Sequence, residues 1–353
     1  MSHPDAAAFP PGYPPAPPPL PDPRRLPPHL RPSLPVEPRD YYAFWRAPRY
    51  RWWKGLLAAL LSAFLFLVIS TVFQIVGWLI DRADLSVLAQ GQIPPVGPGF
   101  FLANNLSLAA CILIAGLVTW LCVQQRPRWL SSVEGGVRWR WLLTLTGILL
   151  PIWLVLVGGQ LLLAPVEGLS IREHTWVMVV GILLTTPLQA AGEEYLVRGL
   201  FGRAVASWFP APIVGFVAST IVTALIFMAL HGAGDLWLNA FYVVFAVVGS
   251  WVTWRTGGLE AAIAIHVVNN LVAMLLLPFT DFSDMFNREA GTGDATVLLN
   301  MGVVVVAALI VEWYVRRGRL ARVSAPGRAA LEALAAPRPQ PGPGYGPPPG
   351  AVG

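Results

Sequence analysis

The stretch Ala190-Ala191-Gly192-Glu193-Glu194-Tyr195-Leu196-Val197-Arg198-Gly199 sets three charged side chains inside an apolar run extending from 175 to 201. A charge at a bilayer centre costs at least ~2.5–3.5 kcal/mol on insertion scales, so an ionisable cluster within a spanning segment marks a functional site. Helix geometry divides the cluster. Successive residues lie about 100° apart, which puts Glu194 and Arg198, four residues apart, on one face as an ion pair. Glu193 points elsewhere and is five residues from Arg198, so it is the less neutralised carboxylate and the one suited to chemistry. A Glu–Arg clamp between packed helices would account for one carboxylate, but not for the second beside it.

The surroundings of this stretch decide the fold class. Of 353 residues, 55% are hydrophobic and 12% charged, with a mean hydropathy of +0.59. Soluble domains carry about 25% charged residues. The chain is therefore expected to be an all-α, polytopic transmembrane helix bundle. Runs of about 20 apolar residues, the length that crosses a bilayer, fall at 55–80, 100–123, 141–163, 175–201, 212–231, 236–254, 259–278 and 297–315. That makes about eight spans. Residues 1–48 read as a disordered, proline-rich leader, 49–318 as the transmembrane bundle, and 319–353 as a disordered tail rich in proline and glycine.

The basic residues before the first span (Arg24, Arg25, Arg31, Arg39, Arg46, Arg49, Arg51, Lys54) contrast with Arg82 beside Asp81 and Asp84 after it. By the positive-inside rule both termini are cytoplasmic, and an integral protein of the plasma membrane is expected. The acid-rich loop 279–296 then falls outside. Trp52 and Trp53 are placed as interfacial anchors, and the excess of arginine suits anionic membrane lipids as partners. No aromatic-basic module speaks for nucleic acid. Cys111 and Cys122, eleven apart in one run, form no CxxC pattern and read as small core residues. Oligomeric state is not legible.

The other polar groups in apolar runs are His231 and the pair His266 and Asn270. Phe227 lies one turn before His231, and His266 and Asn270 share a helix face. Either histidine alone would be explained by an interhelical hydrogen bond. Together with the glutamates they supply a set for hydrolysis. A carboxylate and an imidazole can take a proton from water, and an imidazole with a carboxamide can donate to a developing oxyanion. Glu193, His231 and His266 are also candidate ligands for a divalent metal such as zinc, with a metal-free, glutamate-dependent mechanism as the alternative. No His-Glu-x-x-His or Gly-x-Ser-x-Gly motif occurs.

Glu-Glu-x-x-x-Arg at 193–198, Phe-x-x-x-His at 227–231 and His-x-x-x-Asn at 266–270, in that order, resemble the CPBP family of intramembrane proteases. That family includes the type II CAAX prenyl endopeptidases and bacterial relatives of the Abi or bacteriocin-immunity kind. The resemblance places a catalytic core at about 141–280. It implies that Glu193 and His231 activate water for attack on a peptide carbonyl, that His266 and Asn270 stabilise the oxyanion, and that Glu194 and Arg198 support the site. The expected substrate is a membrane-tethered or lipidated, CAAX-like peptide or protein. Straight single-pass helices would leave His231 near the end of its span while Glu193 and His266 lie deeper, so either Pro187 and Gly192 break the fourth span or the span limits lie elsewhere. A non-catalytic scaffold or immunity-type protein and a proton-coupled transporter are the alternatives; no repeat of the kind transporters show is evident.

Overall fold

Eight helices among the described residues are long and apolar enough to cross a membrane. The computed structural model describes residues 19–163, 165–166, 168–280, 289–318 and 320–336. The helices are α1 (Trp52–Ile80), α2 (Pro98–Val123), α3 (Trp139–Leu163), α4 (Thr175–Ala206), α5 (Pro212–His231), α6 (Leu236–Thr256), α7 (Glu260–Phe279) and α8 (Val297–Arg316). A short helix, α9, covers Arg328–Ala335 beyond the last span. The expected spans are all present, and the chain is an integral membrane protein. Large apolar side chains such as Leu60, Leu113, Val155 and Leu183 face outward, as a lipid-facing surface requires.

The packing is centred on α4 and α7. Helix α1 packs on α2, α2 on α4, α4 on α7, α7 on α3, and α6 on both α5 and α8. Small residues permit the closest approaches. A Cβ on Gly192 of α4 would collide with the Leu108 carbonyl of α2, and one on Gly249 of α6 would come within 3.0 Å of Arg198 Nη2.

Two features differ from the sequence expectation. Helix α4 does not break at Pro187 or Gly192: it runs as an α-helix to Glu194 and then widens into a π-helical segment, Tyr195–Gly202. Gly192 serves the close contact with α2 instead. Segments of π-helix are rare and frequent at functional sites.

The second difference corrects the leader boundary at 48 and the tail boundary at 319. Tyr41, Tyr42, Phe44 and Trp45 are fully buried and join a core with Leu130, Tyr195, Leu200 and Leu259. The Tyr41 hydroxyl donates to the Leu130 carbonyl, and Arg203 stacks 3.8 Å over the Tyr41 ring. Beyond the last span, strand β2 (Val323–Ser324) pairs antiparallel with β1 (Arg39–Asp40), Arg39 opposite Ser324. Both ends of the bundle's chain thus meet on one face, with Leu331 of α9 buried. Proline content misled here because the aromatic cluster 41–45 is too short to show periodicity. The expectations for 1–18, 337–353 and part of the acidic loop (281–288) lie outside the described residues.

Candidate active site

Helices α4, α5, α6 and α7 bring the polar residues to one cavity of about 670 Å³, closed on its other side by α1 and α2. Glu193, His231 and Asn270 line it, together with Gln189, Asn269 and Tyr242, which the sequence reading did not single out. The depth conflict between His231 and Glu193 disappears because the cavity runs from the C-terminal residue of α5 inward to Glu193.

Glu194 and Arg198 lie beneath this wall. Their side chains are 1% and 0% exposed, and Arg198 Nη1 donates to Glu194 Oε1 at 2.8 Å. The pair is the i,i+4 arrangement that helix geometry predicts, and it persists across the start of the π-helical segment. The Arg198 guanidinium also lies 4.7 Å from the centre of the Phe227 ring, an interaction strengthened by exclusion of water. Because Glu194 and Arg198 neutralise one another, Glu193 is left as the carboxylate facing the cavity.

His266 does not line the cavity. It is 2% exposed, with Nδ1 2.8 Å from Glu194 Oε1 and Nε2 3.7 Å from Glu193 Oε2. A carboxylate only accepts, so Nδ1 carries the proton and Nε2 is the nitrogen turned toward Glu193. Phe245 and Phe227 stand edge-on to the ring, 5.0 and 6.0 Å between centroids, and fix its plane. His231 is oriented by the same logic. Its Nδ1 lies 2.8 Å from the Phe227 carbonyl, which only accepts, and the ring is sandwiched between Phe227 and Tyr242 at 4.5 and 4.0 Å. That contact leaves Nε2 as the ring nitrogen on the far side of the imidazole.

Behind Glu193 runs a chain of amides whose direction is fixed at both ends. Gln189 Nε2 donates to Glu193 Oε1, which turns Gln189 Oε1 to accept from Asn270 Nδ2 at 3.1 Å. Asn270 Oδ1 then accepts from Asn269 Nδ2 at 3.1 Å, and Asn269 Oδ1 from Trp153 Nε1 at 3.4 Å. A carboxylate can only accept and an indole can only donate, so no amide in the series can be reversed. Gln189 carried a signal in the sequence, since it precedes Glu193 by one turn on the same face. Asn269 was hidden by its neighbour, and Trp153 by its apolar helix.

Among the described residues, no group of three or more His, Cys, Asp or Glu side chains converges as a metal site. Glu193, His231 and His266 do not converge as the compact donor set that zinc requires. Cys111 and Cys122 are buried and free.

Residues 174–272 match the family model of the type II CAAX prenyl endopeptidase Rce1-like proteins. The segment holds the three motifs at 193–198, 227–231 and 266–270. The uncharacterized protein YyaK of Bacillus subtilis (strain 168) is 22% identical over 164 residues, which are 43% of this chain and 53% of that protein. The chain thus spans about half the length of that curated relative. No solved structure matches.

Proposed function

We propose that this chain, whose residues 174–272 carry the Rce1-like domain, is an intramembrane endopeptidase that cleaves a membrane-tethered, CAAX-like peptide by direct attack of water. The observation that carries the reading is the placement of Glu193: a carboxylate on a cavity wall, oriented by Gln189 and backed by His266, with its neighbour Glu194 neutralised by Arg198.

In this reading a water held between Glu193 and His231 attacks the scissile carbonyl carbon. One water proton passes to Glu193 as the new C–O bond forms, and the carbonyl π electrons move to oxygen. Asn270 spends one Nδ2 hydrogen on Gln189 and has a second to offer the oxyanion. When the tetrahedral intermediate collapses, the C–N bond breaks and Glu193 returns its proton to the leaving amine. His266 acts through the carboxylates: its two nitrogens face Glu194 and Glu193, which makes it a positioning residue here.

The cavity wall from α1 is mixed, with Phe66 and Leu67 beside Ser70, Thr71 and Gln74. Such a wall suits an extended peptide whose backbone needs hydrogen-bond partners and whose attached chain is apolar. By the positive-inside rule the face on which both ends meet is cytoplasmic. The test is cleavage of a panel of lipidated and unlipidated peptides by the purified full chain in detergent, with and without a chelator. Cleavage by the wild type that vanishes in Glu193→Gln is expected. Equal cleavage by both forms would remove Glu193 from the mechanism, and a proton-coupled flux abolished by the same substitution would point to transport instead.

A further inference from the structure

The basic leader folds into a second cleft, of about 770 Å³, on the face where the two ends of the chain meet. Its wall carries Arg24, Arg31, Arg39, Arg46 and Arg51 against one carboxylate, Glu37. That carboxylate is taken up by Arg39, 2.7 Å from its Nη2. Arg31, Arg46 and Arg51 are held by carbonyl oxygens. Arg31 donates to Leu26 and Arg24, at 2.9 and 3.1 Å. Arg46 donates through Nη1 to Ser207 and Phe209, at 3.1 and 2.6 Å, and Arg51 to Tyr50 at 3.1 Å.

Carbonyl groups fix a guanidinium in place without neutralising it. Arg46 Nε has no protein partner, and burial, followed by the like charge of Arg39, lowers the pKa of Arg46. The cleft is thus a pre-positioned set of cations short of counter-charge. Its depth is marked by tryptophan. Trp52, which begins α1, and Trp208, between α4 and α5, both line the cleft and are 63% and 40% exposed. The Trp208 indole donates to the Trp52 carbonyl at 3.1 Å, which ties the two rims together. Exposed tryptophans at span ends sit at the level of lipid headgroups.

We propose that this cleft binds the phosphate of an anionic phospholipid headgroup at the membrane face, at a site separate from the cavity of Glu193. Guanidinium forks match phosphate oxygens in pairs, and an acidic headgroup supplies the missing negative charge at the depth the tryptophans mark.

The proposal is tested by the thermal unfolding midpoint of the full chain in neutral detergent, titrated with phosphatidylglycerol, phosphatidylcholine or glycerol phosphate. Phosphatidylglycerol is expected to raise the midpoint saturably and phosphatidylcholine to leave it unchanged. The exposed pair Arg24→Gln/Arg51→Gln raises the half-saturating concentration at least about tenfold, from about 1 kcal/mol for each arginine near the surface. The exposed control pair Arg126→Gln/Arg140→Gln changes it less than about twofold, since those charges lie outside the cleft. A saturable shift with glycerol phosphate at similar concentration would keep the phosphate site and assign it to a soluble ester. Equal weakening by both double variants, an equal effect of phosphatidylcholine, or no saturable shift at all overturns the site.

Discussion

His266 Nδ1 lies 2.8 Å from Glu194 Oε1, in contact with the same carboxylate oxygen that receives Arg198 Nη1. One oxygen therefore ties α7 to α4, while the opposite nitrogen of the same imidazole faces Glu193 at 3.7 Å. The adjacent glutamates have separate tasks: Glu194 holds two helices in register and Glu193 faces the cavity.

These tasks are separable by isosteric substitution. Glu193→Gln keeps the volume and is expected to lower peptide cleavage by about 10²–10⁴-fold, the usual worth of a general base, with the unfolding midpoint close to wild type. Glu194→Gln leaves Arg198 buried without its counter-ion, a loss of about 3–5 kcal/mol that thermal unfolding in detergent will show. If the midpoint falls as far for Glu193→Gln as for Glu194→Gln, the division of labour is wrong.

The amide chain predicts a graded series. Gln189→Leu removes the hydrogen bond to Glu193, and a hydrogen bond to a charged group is worth about 1.5–3 kcal/mol, so kcat is expected to drop by roughly 10–150-fold. Asn269→Asp is isosteric but cannot donate to Asn270 Oδ1, so Asn270 loses the partner that orients it. Its effect should be smaller and should fall on kcat with little change in KM. An unchanged kcat in both variants would mean that the chain packs the helices without orienting Glu193.

The eight spans and the Glu194–Arg198 pair were legible because both follow from short-range rules, the length of an apolar run and the four-residue spacing of a helix face. Gln189 was within reach of the same rule. What could not be read was the partner across space: that His266 turns toward the glutamates and away from the cavity depends on how α7 crosses α4, and a sequence carries no crossing angle. The π-helical segment after Glu194 was equally hidden, since no residue type marks it. The aromatic cluster at 41–45 was obscured by the prolines around it, because composition averages over a window wider than the cluster.

Asp235 gives an acid-dependent readout outside the spans. Its Oδ1 accepts from Leu238 N and Trp237 N at 3.0 and 2.8 Å, and its Oδ2 from Gly291 N at 3.0 Å. These backbone donors, Leu238 foremost, hold its carboxyl below the usual range. A folded-state pKa below the unfolded value of about 3.9 contributes stability in full above about pH 4 and loses it as pH falls further. Asp235→Asn keeps a capping oxygen but removes the charge. The stability gap between wild type and Asp235→Asn, followed by unfolding from pH 7 to pH 3, is expected to narrow as pH falls below about pH 4. A gap that stays constant over that range would show that the charge is not what binds the 291 loop to the start of α6.

The packed leader makes the sharpest contrast with a reading from composition. Were residues 1–48 a solvated tail, changes there would leave the bundle untouched. Instead Trp45 is fully buried, 6.3 Å from the Tyr50 ring, and the Tyr41 hydroxyl reaches the Leu130 carbonyl across 89 residues of sequence. Trp45→Ala is expected to cost about 3–5 kcal/mol, as large-to-small changes of buried aromatics do. Tyr41→Phe leaves the Leu130 carbonyl without this donor and should cost about 1–3 kcal/mol. Burial also raises the Tyr41 pKa, so its hydroxyl keeps the donated proton at any working pH and the Tyr41→Phe penalty should not vary between pH 6 and about pH 9. Denaturation of the full chain in detergent reads both losses; two silent variants would return the leader to solvent and dissolve the cleft that Arg39 and Arg46 help to line.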